Sequence, residues 1–222
     1  MEPQNNEHLT LELSSQLISI MTTEHYNLQT GRSMTIAEAN GRASLFVGAV
    51  SSGLVALALV GQLSHLGTAF FVFSLVVIPT LLFMGLITFE RVQQSGSADL
   101  IYARGINRIR HLYLEYAPQM QPYFILSTHD DREGVLGHEG MQTSWWQVFF
   151  NTAGMVAVIN SVLIGSFVGL LLAEFTLPLV VTTSAGVLTF LVSVSLHQRY
   201  QWRKRMHLGR NLPVLFPSQS RE

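Results

Sequence analysis

Four stretches of this chain contain no Asp, Glu, Lys, Arg or His, and they dictate most of what it can become. They run Ala43–Gln62, Thr68–Phe89, Thr152–Ala173 and Thr176–Leu196. Each is about 20 residues long, and at about 1.5 Å per helical residue each reaches across a hydrocarbon layer of about 30 Å. A buried helix of a soluble protein keeps a polar face. These blocks keep none, so they predict four transmembrane helices. Composition agrees: 12% of residues are charged and 48% apolar, against about a quarter charged in soluble domains.

The basic residues give the direction. All 13 Lys and Arg fall in the N-terminal tail, the central segment or the C-terminal tail. The connections Leu-Ser-His-Leu-Gly at 63–67 and Glu-Phe at 174–175 hold none. The positive-inside rule then places both termini and the central segment in the cytoplasm. The expected fold is all-α and polytopic: four transmembrane helices as two hairpins, with cytoplasmic amphipathic helices. Its parts are a cytoplasmic N-terminal helical tail (1–42), hairpin 1 (43–89), a linker with an amphipathic helix (90–146), hairpin 2 (147–196) and a basic tail (197–222). Acidic Glu2, Glu7 and Glu12 stand where a signal peptide would carry its basic region, so the first block is expected to serve as an uncleaved anchor. Trp145 and Trp146 before the third block, and Tyr200 and Trp202 after the fourth, fit interfacial aromatic anchors. Arg199, Arg203, Lys204 and Arg205 lie just beyond the fourth block. They fit a stop-transfer flank that meets anionic headgroups, each cation contributing on the order of 1 kcal/mol.

Within lipid, helices associate through small side chains that let backbones approach. Ser44, Gly48, Ser52 and Ala56 recur at i+4 in the first block; Ser161, Gly165 and Gly169 form a stripe in the third; Thr182 and Gly186 share that spacing in the fourth. These stripes predict packing seams, within one chain or between copies in a homo-oligomer. Pro79 predicts a kink in the second block. Asn160, the lone amide of the third block, fits interhelical hydrogen bonding, or the lining of a pore together with Ser51, Ser161, Thr182 and Thr183. Both hairpins follow an Asn, at Asn40 and Asn151, which leaves a parallel repeat open.

The charged segments read as helices with breaks. Leu13, Leu17, Ile20 and Met21 make a stripe in the N-terminal tail, with breaks offered at Gly31 and Gly41. This tail reads as a packing helix, running into the first block or pairing with the central helix. In the central segment, Ile106, Ile109, Tyr113 and Tyr116 share one side of a helix, with Arg104, Arg108, His111 and Glu115 on another. Pro118 should stop that helix and Pro122 should keep the next residues extended. Such a helix suits a membrane surface, or the underside of the bundle, with its arginines toward headgroups. Its mixed charge disfavours nucleic acid as a partner.

Chemistry is scarce. Cysteine is absent, which removes thiolate ligands and cysteine nucleophiles. No block pairs a serine with a base, as intramembrane hydrolysis would need. Proton-coupled transport and voltage sensing would also need ionisable groups in the blocks. There is no phosphate-binding loop or dinucleotide fingerprint. The richest polar stretch, 127–140, carries His129, Asp130, Asp131, Glu133, His138 and Glu139. These are side chains that bind divalent metals, yet their spacing matches neither an EF-hand nor a zinc-helix motif, and a solvated loop explains them as well. No catalytic residue, cofactor or metal is assigned.

The segments Glu-Ala-Asn-Gly-Arg-Ala-Ser-Leu-Phe (38–46) and Ile-Asn-Arg-Ile-Arg-His-Leu-Tyr-Leu-Glu-Tyr-Ala-Pro-Gln-Met-Gln-Pro-Tyr-Phe (106–124), followed by His-Asp-Asp, resemble a group of uncharacterised bacterial four-span membrane proteins. The likeness covers most of residues 25–195. It implies the same topology in a bacterial plasma membrane and carries no activity. The functional expectation is an oligomeric membrane assembly, sensing or scaffold protein that engages anionic lipid and a cytoplasmic partner. The alternative is an oligomeric ion channel or small-solute facilitator. A metal-dependent enzyme using the 127–140 loop ranks third.

Overall fold

The structure is a computed structural model that describes residues 3–136, 151–175, 177–211 and 213–218, with side chains from residue 15 onward except 205–211. Its order is α1 (Pro3–Leu63), α2 (Thr68–Tyr116), a 3-10 helix (Pro118–Tyr123), α3 (Arg132–Leu136), α4 (Thr152–Glu174) and α5 (Leu179–Asn211). Among the described residues there is no strand. Four helices are long and apolar enough to cross a membrane.

The charged segments and the apolar blocks join without breaks. α1 is one helix of 61 residues and passes through Gly31 and Gly41. After Pro3 it contains no proline, and isolated glycines cost a helix only about 1 kcal/mol each. α2 is one helix of 49 residues that passes Pro79 and includes the whole of 100–116. The expected central helix is therefore the last part of α2. It ends at Tyr116, before Pro118 as expected, because the proline ring disfavours a helical residue ahead of it. The stretch after Pro118 is not extended: Pro118–Tyr123 is a 3-10 helix, closed by Met120 N–H to Ala117 O at 3.0 Å. The fixed φ of proline suits 3-10 geometry as well as extended chain.

The chain divides into two compact units. The first gathers Met1–Ile36, Ala98–Gln142 and Leu212–Glu222. Here α1 and α2 approach closely: a Cβ on Gly31 would lie 2.9 Å from the Tyr102 ring, and one on Gly105 would lie 3.0 Å from Leu28. Arg32 Nε donates to Asp99 Oδ1 at 2.7 Å across the same contact. Ile106 and Ile109 are buried as their spacing predicts, but so is Arg104, and Ile20 and Tyr116 are exposed.

The second unit comprises Ala37–Ser97 and Thr143–Asn211. Its core joins Ala43, Phe46 and Val50 of α1, Ile78, Leu81 and Phe89 of α2, and Val156, Ala157 and Leu163 of α4. The opposite faces stay apolar: Leu45, Phe83, Leu179 and Val180 are each more than 60% exposed. An apolar outer surface of that extent matches hydrocarbon, whereas soluble proteins rarely expose such patches. Between α1 and α2, His65 and Leu66 take left-handed φ values of 48° and 57°, and Leu66 N–H closes the turn on Gly61 O at 2.9 Å. Asn151 caps α4 by accepting from Gly154 N–H at 2.6 Å. Asn40 instead lies inside α1 and accepts from the Thr152 hydroxyl at 3.2 Å. The two asparagines are thus unlike in structure, and a repeat gains nothing from them.

Candidate functional site

The small-residue stripes separate into two kinds. Ser161, Gly165 and Gly169 of α4 meet Thr182 and Gly186 of α5. A Cβ on Gly165 would stand 2.7 Å from Gly186 O, and one on Gly186 would stand 2.9 Å from Gly165 O, so the backbones touch. One turn away, the Ser161 and Ser193 hydroxyls are 3.0 Å apart. Ser44, Gly48 and Ser52 of α1 behave differently. They are exposed, Ala56 of the same stripe is half-buried, and among the described residues a Cβ on Gly48 would meet nothing within 4 Å. The face of α1 that packs in this chain is the other one, through Ala43, Phe46 and Val50.

The polar residues considered for a pore line do not gather. Asn160 is fully buried on α4, where its amide oxygen and Phe46 occupy the space a side chain on Gly85 of α2 would need. Among the described residues neither polar atom of the Asn160 side chain has a hydrogen-bond partner. Ser161 is buried, and its hydroxyl donates to Ala157 O at 2.7 Å. Thr182 is buried and donates to Leu179 O at 3.0 Å; Thr183 is exposed and donates to the same carbonyl at 2.6 Å. Ser51 is exposed. Hydroxyls that bond to their own helix need no aqueous path.

Beyond the fourth block, Arg199 and Arg203 are exposed, while Lys204 donates to Glu90 Oε1 at 2.6 Å. Tyr200 donates to the other Glu90 oxygen at 2.7 Å. Lys204 therefore spends its charge on a carboxylate of the protein. The Arg205 side chain, Trp145 and Trp146 lie outside the described residues.

The most elaborate polar constellation lies in the first unit, and half of it was not foreseen. Asp130, fully buried, accepts from Phe216 N–H at 2.8 Å, from Leu215 N–H at 3.1 Å and from Arg108 Nε at 2.7 Å. Its own N–H donates to Phe216 O at 3.1 Å. Arg108 also donates to Pro213 O. Asp131 accepts from Ser218 N–H at 2.8 Å and from the Ser218 hydroxyl, and its other oxygen takes Gly134 N–H at 2.7 Å at the start of α3. The His111 ring stacks on Phe216, 3.9 Å between centroids. Asn107, buried on α2, positions the loop by donating to His129 O at 2.8 Å. The result is a cradle, made by α2 and the 127–134 loop, in which the segment Pro213–Ser218 lies.

Burial works to raise the Asp130 carboxyl, but the Phe216 and Leu215 N–H groups and the Arg108 guanidinium outweigh it and hold the group below the ordinary carboxyl value. Burial likewise opposes ionisation of Asp131, and the Ser218 hydroxyl, the Gly134 and Ser218 N–H groups and His129 overcome it.

Two expectations are corrected here. Arg108, read as facing headgroups, is bound to Asp130 and to the tail. Asp130 and Asp131, read as part of a solvated loop with metal binding as the lesser alternative, instead have their oxygens filled by N–H and O–H donors of the tail, of Arg108 and of Gly134. Among the described residues no three His, Cys, Asp or Glu side chains are grouped to hold a metal; His138 and Glu139 lie outside them. A signal that could have marked the segment, though not its partner, is the proline-bracketed, uncharged Pro-Val-Leu-Phe-Pro-Ser stretch inside a basic tail. Prolines at both ends keep such a stretch out of helix and leave its N–H groups in search of acceptors.

Comparison of the chain with protein families, with curated proteins and with solved structures gives no match.

Proposed function

We propose that this is a multi-pass protein of a bacterial plasma membrane, built as two transmembrane hairpins with both termini and the central segment cytoplasmic. It acts as an oligomeric assembly, sensing or scaffold protein. The topology is supported by contacts within the first unit. The N-terminal tail meets the central segment at Gly31–Tyr102 and Arg32–Asp99, and the central segment meets the C-terminal segment at Asp130–Phe216. Segments that each meet the central one share its side of a membrane, which an even number of crossings between them allows.

The observation that carries the functional reading is the dispersal of the intramembrane polar groups. Asn160 and Ser161 lie in packed interfaces, and Thr183 and Ser51 lie on exposed faces. A pore within one chain would bring them round one axis, and an oligomeric pore would bring the buried Asn160 and Ser161 to its lining. Ser44, Gly48 and Ser52 are exposed among the described residues, and their face is assigned to contact between copies. Arg199 and Arg203 remain available to anionic lipid.

Ion flux across proteoliposomes tests this against the channel alternative. Wild-type protein should pass no ions above the lipid background over a range of voltages. Asn160→Leu should behave the same and stay folded, because removing an unpartnered buried amide relieves a penalty of about 1–3 kcal/mol. Reproducible flux that the substitution alters would replace the scaffold reading with a permeation path.

A further inference from the structure

The segment Pro213–Ser218 is held by polar groups rather than by burial. Pro213, Val214, Leu215 and Pro217 are exposed, and only Phe216 and Ser218 are half-buried. Every direct hydrogen bond to it reads backbone, apart from the Ser218 hydroxyl, and one ring is recognised, Phe216 on His111. Nothing in that recognition depends on the segment being joined to the same chain. The α5 helix runs to Asn211, so a single residue separates it from Pro213. Short connections of this kind favour exchange of an element between identical protomers.

We infer that the Asp130–Asp131 cradle is an exchangeable peptide-recognition site, and that its second occupant is the Pro213–Ser218 segment of another copy of this chain. Identical copies carry identical segments and cradles, so the contacts made in trans equal those made in cis. The balance between them is then set by effective concentration, which rises when copies share a membrane and an assembly. The inference uses the assembly reading only to supply that second copy.

Complementation between two full-length variants tests it. Asp130→Asn keeps an intact segment beside a weakened cradle. Phe216→Ala keeps an intact cradle beside a weakened segment. Alone, the Asp130→Asn chain should exchange its Leu215 and Phe216 amide hydrogens at least tenfold faster than wild type. Mixed in one membrane with an excess of Phe216→Ala chain, it should recover protection at those amides, read by mass after isotopic labelling of one partner. Failure of either variant to fold is met by a second measurement on wild-type protein. Excess synthetic peptide of residues 212–219 should accelerate exchange at the chain's own Leu215 and Phe216 by displacing them. Protection that mixing does not restore overturns the inference, and so does wild-type exchange that peptide leaves unchanged. Either failure leaves untouched the number of copies in the membrane complex, which is counted separately.

Discussion

Gly165→Ala should destabilise the protein by about 1–3 kcal/mol, the usual cost of forcing a methyl into a packed interface. The new Cβ would stand 2.7 Å from Gly186 O and 3.1 Å from Phe190 Cβ. The first of these obstacles is backbone and has no rotamer to offer, so α4 and α5 must move apart. Separation weakens the Ser161–Ser193 contact at the same seam. Gly48→Ala is the matched control, since open space surrounds that position. It should leave thermal stability in detergent unchanged or raise it slightly, because alanine favours helix over glycine by about 1 kcal/mol. Equal melting of Gly165→Ala and wild type would mean that the helices do not meet through these glycines.

The second large effect belongs to the cradle. Asp130→Asn removes the charge opposite Arg108 and leaves a single carbonyl where two oxygens served three donors. Breaking one half of a buried ion pair costs about 3–5 kcal/mol. The Arg108 side chain is 33% exposed, so screening by water brings the expected loss nearer to about 1–3 kcal/mol. That loss falls on docking of the tail rather than on the transmembrane core.

Acid should have the same effect. Both carboxyls are held below their ordinary value of 3.8, so the docked state binds fewer protons than the released one. Docking is complete above that ordinary value and is lost as pH falls through the lower, docked-state values. Amide exchange at Leu215, Phe216 and Ser218 reads this directly, after correction for the intrinsic pH dependence of exchange. Protection in wild type should hold from neutral pH to about pH 4 and decline progressively as pH falls further. In Asp130→Asn it should already be reduced at neutral pH. Protection that persists unchanged in the variant would remove Asp130 from the account.

Four apolar helices were legible in the sequence because length and absence of charge are all that a bilayer asks of a span. Small residues at i+4 in α4 and α5 have one obvious use in lipid, but that Gly165 and Gly169 face Thr182 and Gly186 follows only from the packing. The same pattern in α1 was ambiguous, since Ser44, Gly48 and Ser52 read alike whether a neighbour or a second copy covers them. Helix ends were harder. Gly31 and Gly41 read as breaks, yet packing against Tyr102 makes a glycine at 31 a contact rather than a terminus. The cradle lay beyond reach because its halves stand 85 residues apart at Asp130 and Leu215, and no local period connects two aspartates to a distant proline-bracketed segment. Asn160 was noticed as an amide in an apolar block. That it would sit against Gly85, with no partner among the described residues, follows only from how α2 and α4 pack.

We propose that copies of this chain assemble in the membrane through the Ser44–Gly48–Ser52 face of α1, which the other described residues leave exposed. Counting subunits in native-lipid nanodiscs, for wild type and for Gly48→Leu, tests it most directly. Wild type should give more than one copy per complex and Gly48→Leu a shift toward single copies, with the melting temperature of the single chain unchanged. A single wild-type copy at every protein density, or an assembly indifferent to leucine at position 48, would contradict it.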